Sequence, residues 1–235
     1  VLHNCPNVSD VVYMLKVLEM LGAEVKFSRN ICRIKVPAKT GHIAPYDIVR
    51  KMRASYYVMG SLLGRTGKVD VSLPGGCAIG ERPMDLHLKG FSELGCTVKL
   101  EHGNMKARAR KMKGKEIFLE GKHGTSVGAT INVMMAACRA EGKTLIKGAA
   151  IEPEVGETAA FLNSMGADIS GIDTPVLEIN GVSNMNPAEF TVTPDRIESG
   201  TLLAAVSITG GDAVLTNTCP AHMKAVLEKF REAGD

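Results

Sequence analysis

The sequence has no tryptophan, and only 4% of its 235 residues are aromatic. Its core must therefore be aliphatic, built from Val, Ile, Leu, Met and Ala. It has no run of 18 apolar residues, which leaves nothing to span a membrane as a helix. It also lacks a marked excess of either charge. A net charge of +3 is too small for a nucleic-acid binder, which gathers Lys and Arg on one face. The six cysteines, Cys5, Cys32, Cys77, Cys96, Cys138 and Cys219, include no C-x-x-C pair, which argues against a zinc site and against thioredoxin-like redox chemistry. Scattered along a chain of this length, they are expected to be reduced thiols of a cytoplasmic protein, four of them buried as packing groups. There is no signal-peptide pattern, and without an initiator Met the native start is expected to lie upstream.

What is present is a repeat. With 45% hydrophobic and 23% charged residues the chain reads as a soluble globular protein. Four stretches, 10–23 (DVVYMLKVLEMLGA), 84–96 (MDLHLKGFSELGC), 155–167 (VGETAAFLNSMGA) and 221–234 (AHMKAVLEKFREAG), predict amphipathic helices. Each stops at a glycine, Gly22, Gly95, Gly166 or Gly234, as a helix C-cap prefers. Strand-like alternation follows three of them, as in 24–27 and 97–100. A second element recurs between them at 53–64 (RASYYVMGSLLG), 127–141 (VGATINVMMAACRAE) and 199–209 (SGTLLAAVSIT). These helices are apolar nearly all round, which marks burial on every side. Each is expected to end at a glycine (Gly67, Gly142, Gly211) and run into a strand. Glycines recurring roughly every seventy residues exceed solenoid periods and imply duplication of a folding unit.

Several helices buried on all sides must pack on one another and be covered by sheet. The expected class is therefore α/β (α+β), an inside-out lobe with helices within and sheets outside. A buried helix is expected upstream of Val1, and a domain boundary within 193–195. Residues 1–193 would then form one lobe and 194–235 the opening of a second. The basic run 106–115 (KARARKMKGK) reads as a solvated edge strand.

The strongest local signal is 74–87 (PGGCAIGERPMDLH), a Gly- and Pro-rich loop between a strand and a helix. Such backbone lets N–H groups approach an anion, and the helix start adds positive potential. Cys77 sits mid-loop near Arg82, where a thiol pKa is lowered; it reads either as a reactive thiol or as an idle loop residue. Arg53 opens a helix expected to be buried, so its charge needs a partner or a ligand. For Arg53 and Arg82 a salt bridge is the simpler alternative. Asp85 suits the helix dipole, and His87 reads more readily as packing than as a catalyst. Further on, 122–130 (KHGTSVGAT) precedes a buried helix. Ser126 suits an N-cap, and the turn is a possible phosphate seat. Asp195, Arg196 and Glu198 fall at a hinge-like break near the boundary, where an ion-pair cluster is the simpler alternative and the favoured one for Glu198. No metal-ligand spacing is found.

The loop 74–87, with 44–55 (APYDIVRKMRAS), 125–137 (TSVGATINVMMAA), 152–167 (EPEVGETAAFLNSMGA) and 193–201 (TPDRIESGT), resembles the UDP-N-acetylglucosamine 1-carboxyvinyltransferase family. The similarity runs along the whole chain. It implies an inside-out α/β barrel lobe of repeated βαβαββ units, two such lobes in the complete protein, and substrates between them. It further implies a bacterial cytoplasmic transferase that passes the enolpyruvyl group of phosphoenolpyruvate to UDP-N-acetylglucosamine, opening peptidoglycan precursor synthesis, without metal or cofactor. By the same resemblance Cys77 is the general acid and the thiol alkylated by fosfomycin. Arg53, Arg82, Pro83, Met84, Asp85, Leu86 and His87, with Gly124, Thr125, Ser126 and Val127, are the substrate-binding residues, and Lys122 is a candidate for the family's lysine. The family's Lys-Asn pair and its second-lobe aspartate and arginines have no counterpart here. The chain alone is thus expected to be inactive, or to act as a sugar-nucleotide-binding lobe without turnover.

Overall fold

The computed structural model describes residues 1–44, 52–72, 84–101 and 103–234, without the side chain of Arg53. The chain divides into two compact units, Val1–Phe190 and Thr191–Asp235. In chain order the first contains β1 (Leu2–His3), α1 (Ser9–Met20), β2 (Glu24–Ser28), β3 (Ile31–Lys35), β4 (Ile43–Ala44), a 3-10 turn (Arg53–Tyr57), α2 (Val58–Thr66), β5 (Lys68–Ser72) and α3 (Asp85–Glu93). It continues with β6 (Thr97–Glu101), β7 (Asn104–Arg108), β8 (Glu116–Phe118), α4 (Val127–Ala137), β9 (Lys143–Lys147), α5 (Pro153–Ser164), β10 (Asp168–Ser170) and β11 (Val176–Asn180), and closes at β12 (Phe190–Thr191).

The amphipathic helices stop as their glycines predict. After α1, Gly22 takes φ 100°; its N–H donates to the Glu19 carbonyl and that of Ala23 to the Leu18 carbonyl. The same two bonds recur after α3, at Gly95 and Cys96, and after α5, at Gly166 and Ala167. These are three Schellman motifs, each turning the chain from a helix into the strand of a hairpin. The hairpins β2–β3, β6–β7 and β10–β11 are all antiparallel, and each lies in its own four-stranded sheet. The sheet orders are β12-β1-β3-β2, β4-β5-β7-β6 and β8-β9-β11-β10. In the last two a parallel pair precedes the hairpin. In the first, the outer place falls to the chain's return near Phe190, whose N–H donates to the Val1 carbonyl at 3.0 Å.

The helices lie within. Nine residues of α4 are buried, and α4 packs against α2, α3 and α5. The contact with α2 is a close backbone approach, since a Cβ on Gly60 would stand 2.1 Å from the Asn132 carbonyl oxygen. In return Asn132 Oδ1 accepts from the Gly60 N–H at 2.8 Å, while its Nδ2 donates to the Gly128 carbonyl at 3.2 Å. A fully buried amide is thereby satisfied on both sides. Strand residues alternate with the sheet faces: Val69, Val71, Met105 and Ala107 point to the core, and Lys68, Asp70, Lys106 and Arg108 point away from it. The core is aliphatic as expected, with Phe91 the aromatic among its largest fully buried side chains. Cys5, Cys32, Cys96 and Cys138 are buried and free.

Several expectations need correction. The basic run does not form an edge. Strand β7 pairs with both β5 and β6, because alternate Met105 and Ala107 supply an inward face while the cations project outward. The cations beyond it meet Glu141 and Glu93 through Lys111 and Lys115. The first buried helix opens as a 3-10 turn rather than in α form. The second unit contains α6 (Arg196–Thr209), a 3-10 turn (Pro220–Met223) and α7 (Lys224–Ala233). Helix α6 ends at Gly210, with φ 61°, not at Gly211. Among the described residues no strand follows it. Only Ser199 of α6 is buried, while Ile197, Leu202 and Ile208 are exposed. Asp195 caps α6, its carboxylate accepting from the Ile197 and Glu198 N–H groups.

Candidate functional site

Two of the sequence segments singled out for chemistry, 84–87 and 124–127, lie side by side at the starts of α3 and α4. Asp85 is the first residue of α3, exposed, with half-buried Met84 at the N-cap. The next two residues turn inward, leaving Leu86 8% and His87 3% exposed. Leu86 reaches the segment before α4, where a Cβ on Gly121 would meet its Cδ2 at 3.4 Å. That segment is a tight reversal in which Gly121 and Gly124 exchange two backbone hydrogen bonds of 3.0 Å. Gly124 takes φ 85°, and the exposed Lys122 and His123 form the tip. Thr125 is exposed. Ser126 then acts as the expected N-cap, its Oγ accepting from the Ala129 N–H at 3.2 Å. Val127, half-buried, begins the helix.

The 3-10 turn that starts at Arg53 is the third wall. Tyr56 in this turn meets His87 edge-on, with ring centroids 5.3 Å apart and planes at 85°. A Cβ on Gly128 would lie 2.7 Å from the Tyr56 hydroxyl and 3.2 Å from His87 Nε2. The 3-10 turn leading into α2 and the opening turns of α3 and α4, distant in sequence, therefore converge on one spot. Helix starts present N–H groups without intrahelical partners and a partial positive charge, the environment an anionic ligand prefers. Buried His87 fits the packing reading of that residue. Cys77, Arg82 and Pro83 lie outside the described residues, and of Arg53 only the backbone is described. Tyr56, Gly128 and Asn132 were not singled out from the sequence. The only signal for Gly128 and Asn132 is a small residue and an amide inside an otherwise apolar helix, which reads equally as packing, and Tyr56 reads as one more apolar residue of its helix.

The four buried thiols differ from what nucleophilic chemistry needs. Burial pushes the Cys96 thiol up to about 11 and that of Cys138 up to about 12. Burial also raises Cys5 and Cys32. Thiols held protonated in this way are inert at neutral pH. Among the described residues no group of His, Cys, Asp and Glu could hold a metal ion, and no helix is long and apolar enough to cross a membrane.

Comparison with known proteins matches the whole chain. The chain is 48% identical over 235 residues to the UDP-N-acetylglucosamine 1-carboxyvinyltransferase of Methylacidiphilum infernorum, covering 100% of this chain and 55% of that protein. It is 48% identical over 233 residues to UDP-N-acetylglucosamine 1-carboxyvinyltransferase 2 of Carboxydothermus hydrogenoformans, covering 99% of this chain and again 55% of the relative. The chain thus spans about half the length of the curated relatives it matches. Its fold is similar to the crystal structure of the enolpyruvyl transferase NikO from Streptomyces tendae, with TM-score 0.75 at 22% identity, over 87% of this chain and 48% of that one. It is also similar to EPSP synthase from Acinetobacter baumannii, with TM-score 0.65 at 14% identity, over 88% of this chain and 47% of that one. At such identities these two likenesses speak for the fold alone. The family match itself covers residues 1–235, and the chain belongs to the EPSP synthase (3-phosphoshikimate 1-carboxyvinyltransferase) family.

Proposed function

We propose that this chain is part of an enzyme that transfers the enolpyruvyl group of phosphoenolpyruvate to the 3-hydroxyl of UDP-N-acetylglucosamine and releases phosphate. The observation that carries this reading is the 48% identity along the whole chain to a transferase named for that sugar nucleotide. Residues 1–193 are read as the first lobe and 194–235 as the beginning of the second. The product feeds peptidoglycan synthesis, and through it cell shape and division, in a bacterial cytoplasm.

In the proposed reaction C3 of phosphoenolpyruvate gains a proton while the sugar 3-hydroxyl, losing its own, attacks C2. The tetrahedral intermediate then expels phosphate and loses a C3 proton, restoring the double bond on the sugar ether. Both substrates are polyanions, so the site needs cations and N–H donors that do not reorganise as charge moves. Arg53 and Arg82 supply guanidinium groups suited to bidentate clamping of phosphate. Pro83, Met84, Asp85, Leu86 and His87, with Gly124, Thr125, Ser126 and Val127, form the sugar-nucleotide side at two adjoining helix starts. Cys77 delivers the proton to C3. The same thiol would be alkylated by an epoxide phosphonate of the fosfomycin type.

The test uses the full-length protein. Phosphate release from phosphoenolpyruvate should require UDP-N-acetylglucosamine, and Cys77→Ser should abolish covalent labelling by the epoxide phosphonate. Labelling at another cysteine would overturn the assignment of Cys77. Tight binding of the sugar nucleotide without phosphate release would show a binding lobe without turnover.

A further inference from the structure

Tyr56 reaches the opening turns of two other helices from the start of a third. Its ring lies tilted against Tyr57, with centroids 4.6 Å apart, and it meets His87 of α3 edge-on at 5.3 Å. Its hydroxyl and Cε2 lie 2.7 and 3.0 Å from the place a Cβ on Gly128 would take, so the ring rests on the second residue of α4. Such a contact is possible only because residue 128 has no side chain. Both neighbours are buried, while Tyr56 itself is half-buried, at the rim where the three helix starts meet. Aromatic rings held edge to face, with few rotatable bonds, fix distance and angle better than aliphatic contacts do. In the opening turn of α4, Ser126 Oγ accepts from the Ala129 N–H and the Gly128 carbonyl accepts from Asn132 Nδ2.

We propose that Tyr56 is a positioning residue: wedged between His87 and Gly128, it sets the spacing of the first turns of α3 and α4, and so the affinity for the nucleotide sugar those turns are read to hold. The role is one of placement, because a supporting group that lets a binding element drift by an ångström weakens the site without touching the ligand. In its effect on affinity the proposal rests on the sugar-nucleotide reading above; in its effect on the helix starts it does not.

The test compares wild type, Tyr56→Leu, Tyr56→Phe and Gly128→Ala in the full-length protein by hydrogen exchange and steady-state kinetics. Loss of a local support should open only the segment it holds. In unliganded Tyr56→Leu and Gly128→Ala, peptides covering 124–130 and 84–88 should exchange about fivefold faster, with 143–147 unchanged. Tyr56→Phe, which keeps the ring, should exchange like wild type. KM for UDP-N-acetylglucosamine should rise about tenfold in Tyr56→Leu with kcat nearly constant, the mark of lost uniform binding. Unchanged exchange in 124–130, or a uniform rise throughout the first unit, would overturn the positioning role. Local acceleration with KM unmoved would overturn the link to affinity. If wild type releases no phosphate, the functional reading falls, and the exchange pattern still decides the placement role.

Discussion

At the scale of single residues, burial decides most of what the side chains can do. Thr144 on β9 is fully buried, and its hydroxyl finds no hydrogen-bond partner among the described residues. A buried hydroxyl left unsatisfied costs about 1–3 kcal/mol. Thr144→Val keeps the shape and removes that cost, so we expect urea unfolding to show stability unchanged or raised by about 1 kcal/mol; a loss above that would mean the hydroxyl is bonded. The buried thiols make the opposite kind of contribution. In the unfolded chain Cys96 and Cys138 ionise near the ordinary 9.0, whereas in the folded chain they hold their protons to about 11 and about 12. Between these limits the folded state binds more protons, so stability is complete below pH 9 and is lost as pH rises. The slope approaches about 1.4 kcal/mol per pH unit for each thiol. Unfolding at pH 8 and pH 10 should show this loss, and Cys96→Ala with Cys138→Ala should flatten it. Equal slopes in the two proteins would show that other groups carry the alkaline dependence.

At the scale of elements, the sequence was most legible where backbone conformation speaks directly. A glycine closing an amphipathic run recurs three times in the first unit with the same pair of capping bonds at Gly22, Gly95 and Gly166, because the left-handed turn penalises any Cβ. Ser126 and its helix start were readable for the same local reason. Strand β7 was misread, since cationic residues alternate equally well on an edge strand and on the outer face of an inner strand; only the pairing with β5 and β6 separates the two. Gly60 was legible as a residue of an apolar helix but not as a point of contact. With Asn132 backbone 2.1 Å from its missing Cβ, Gly60→Ala must push α2 away from α4. We expect a loss of about 3 kcal/mol, at the upper end for overpacking, measured by chemical denaturation. A loss below about 0.5 kcal/mol, the scale of an ordinary surface change, would show that the helices separate freely.

At the scale of the molecule, the first unit is closed by residues far apart in the chain. The Phe190 N–H donates to the Val1 carbonyl, the Val1 nitrogen donates to the Ala188 carbonyl at 2.8 Å, and the Phe190 ring lies 5.2 Å from that of Phe161 on α5. Phe190→Pro removes both the N–H and the ring contact. A lost ladder bond with a packing defect should cost about 2–4 kcal/mol, with exchange in 1–5 accelerated and 143–147 unaffected. Uniform protection in both segments would mean that the closure adds nothing. By itself the sequence determined the repeat, the glycine stops of the amphipathic helices, the aliphatic core, the inward helices of the first unit and the family, because glycine conformation, apolar periodicity and local motifs are properties of contiguous residues. Only the tertiary structure decided which helix starts meet. Tyr56, His87 and Gly128 share no local pattern, and what joins them is the close crossing of α2 and α4 that glycine and a buried amide permit.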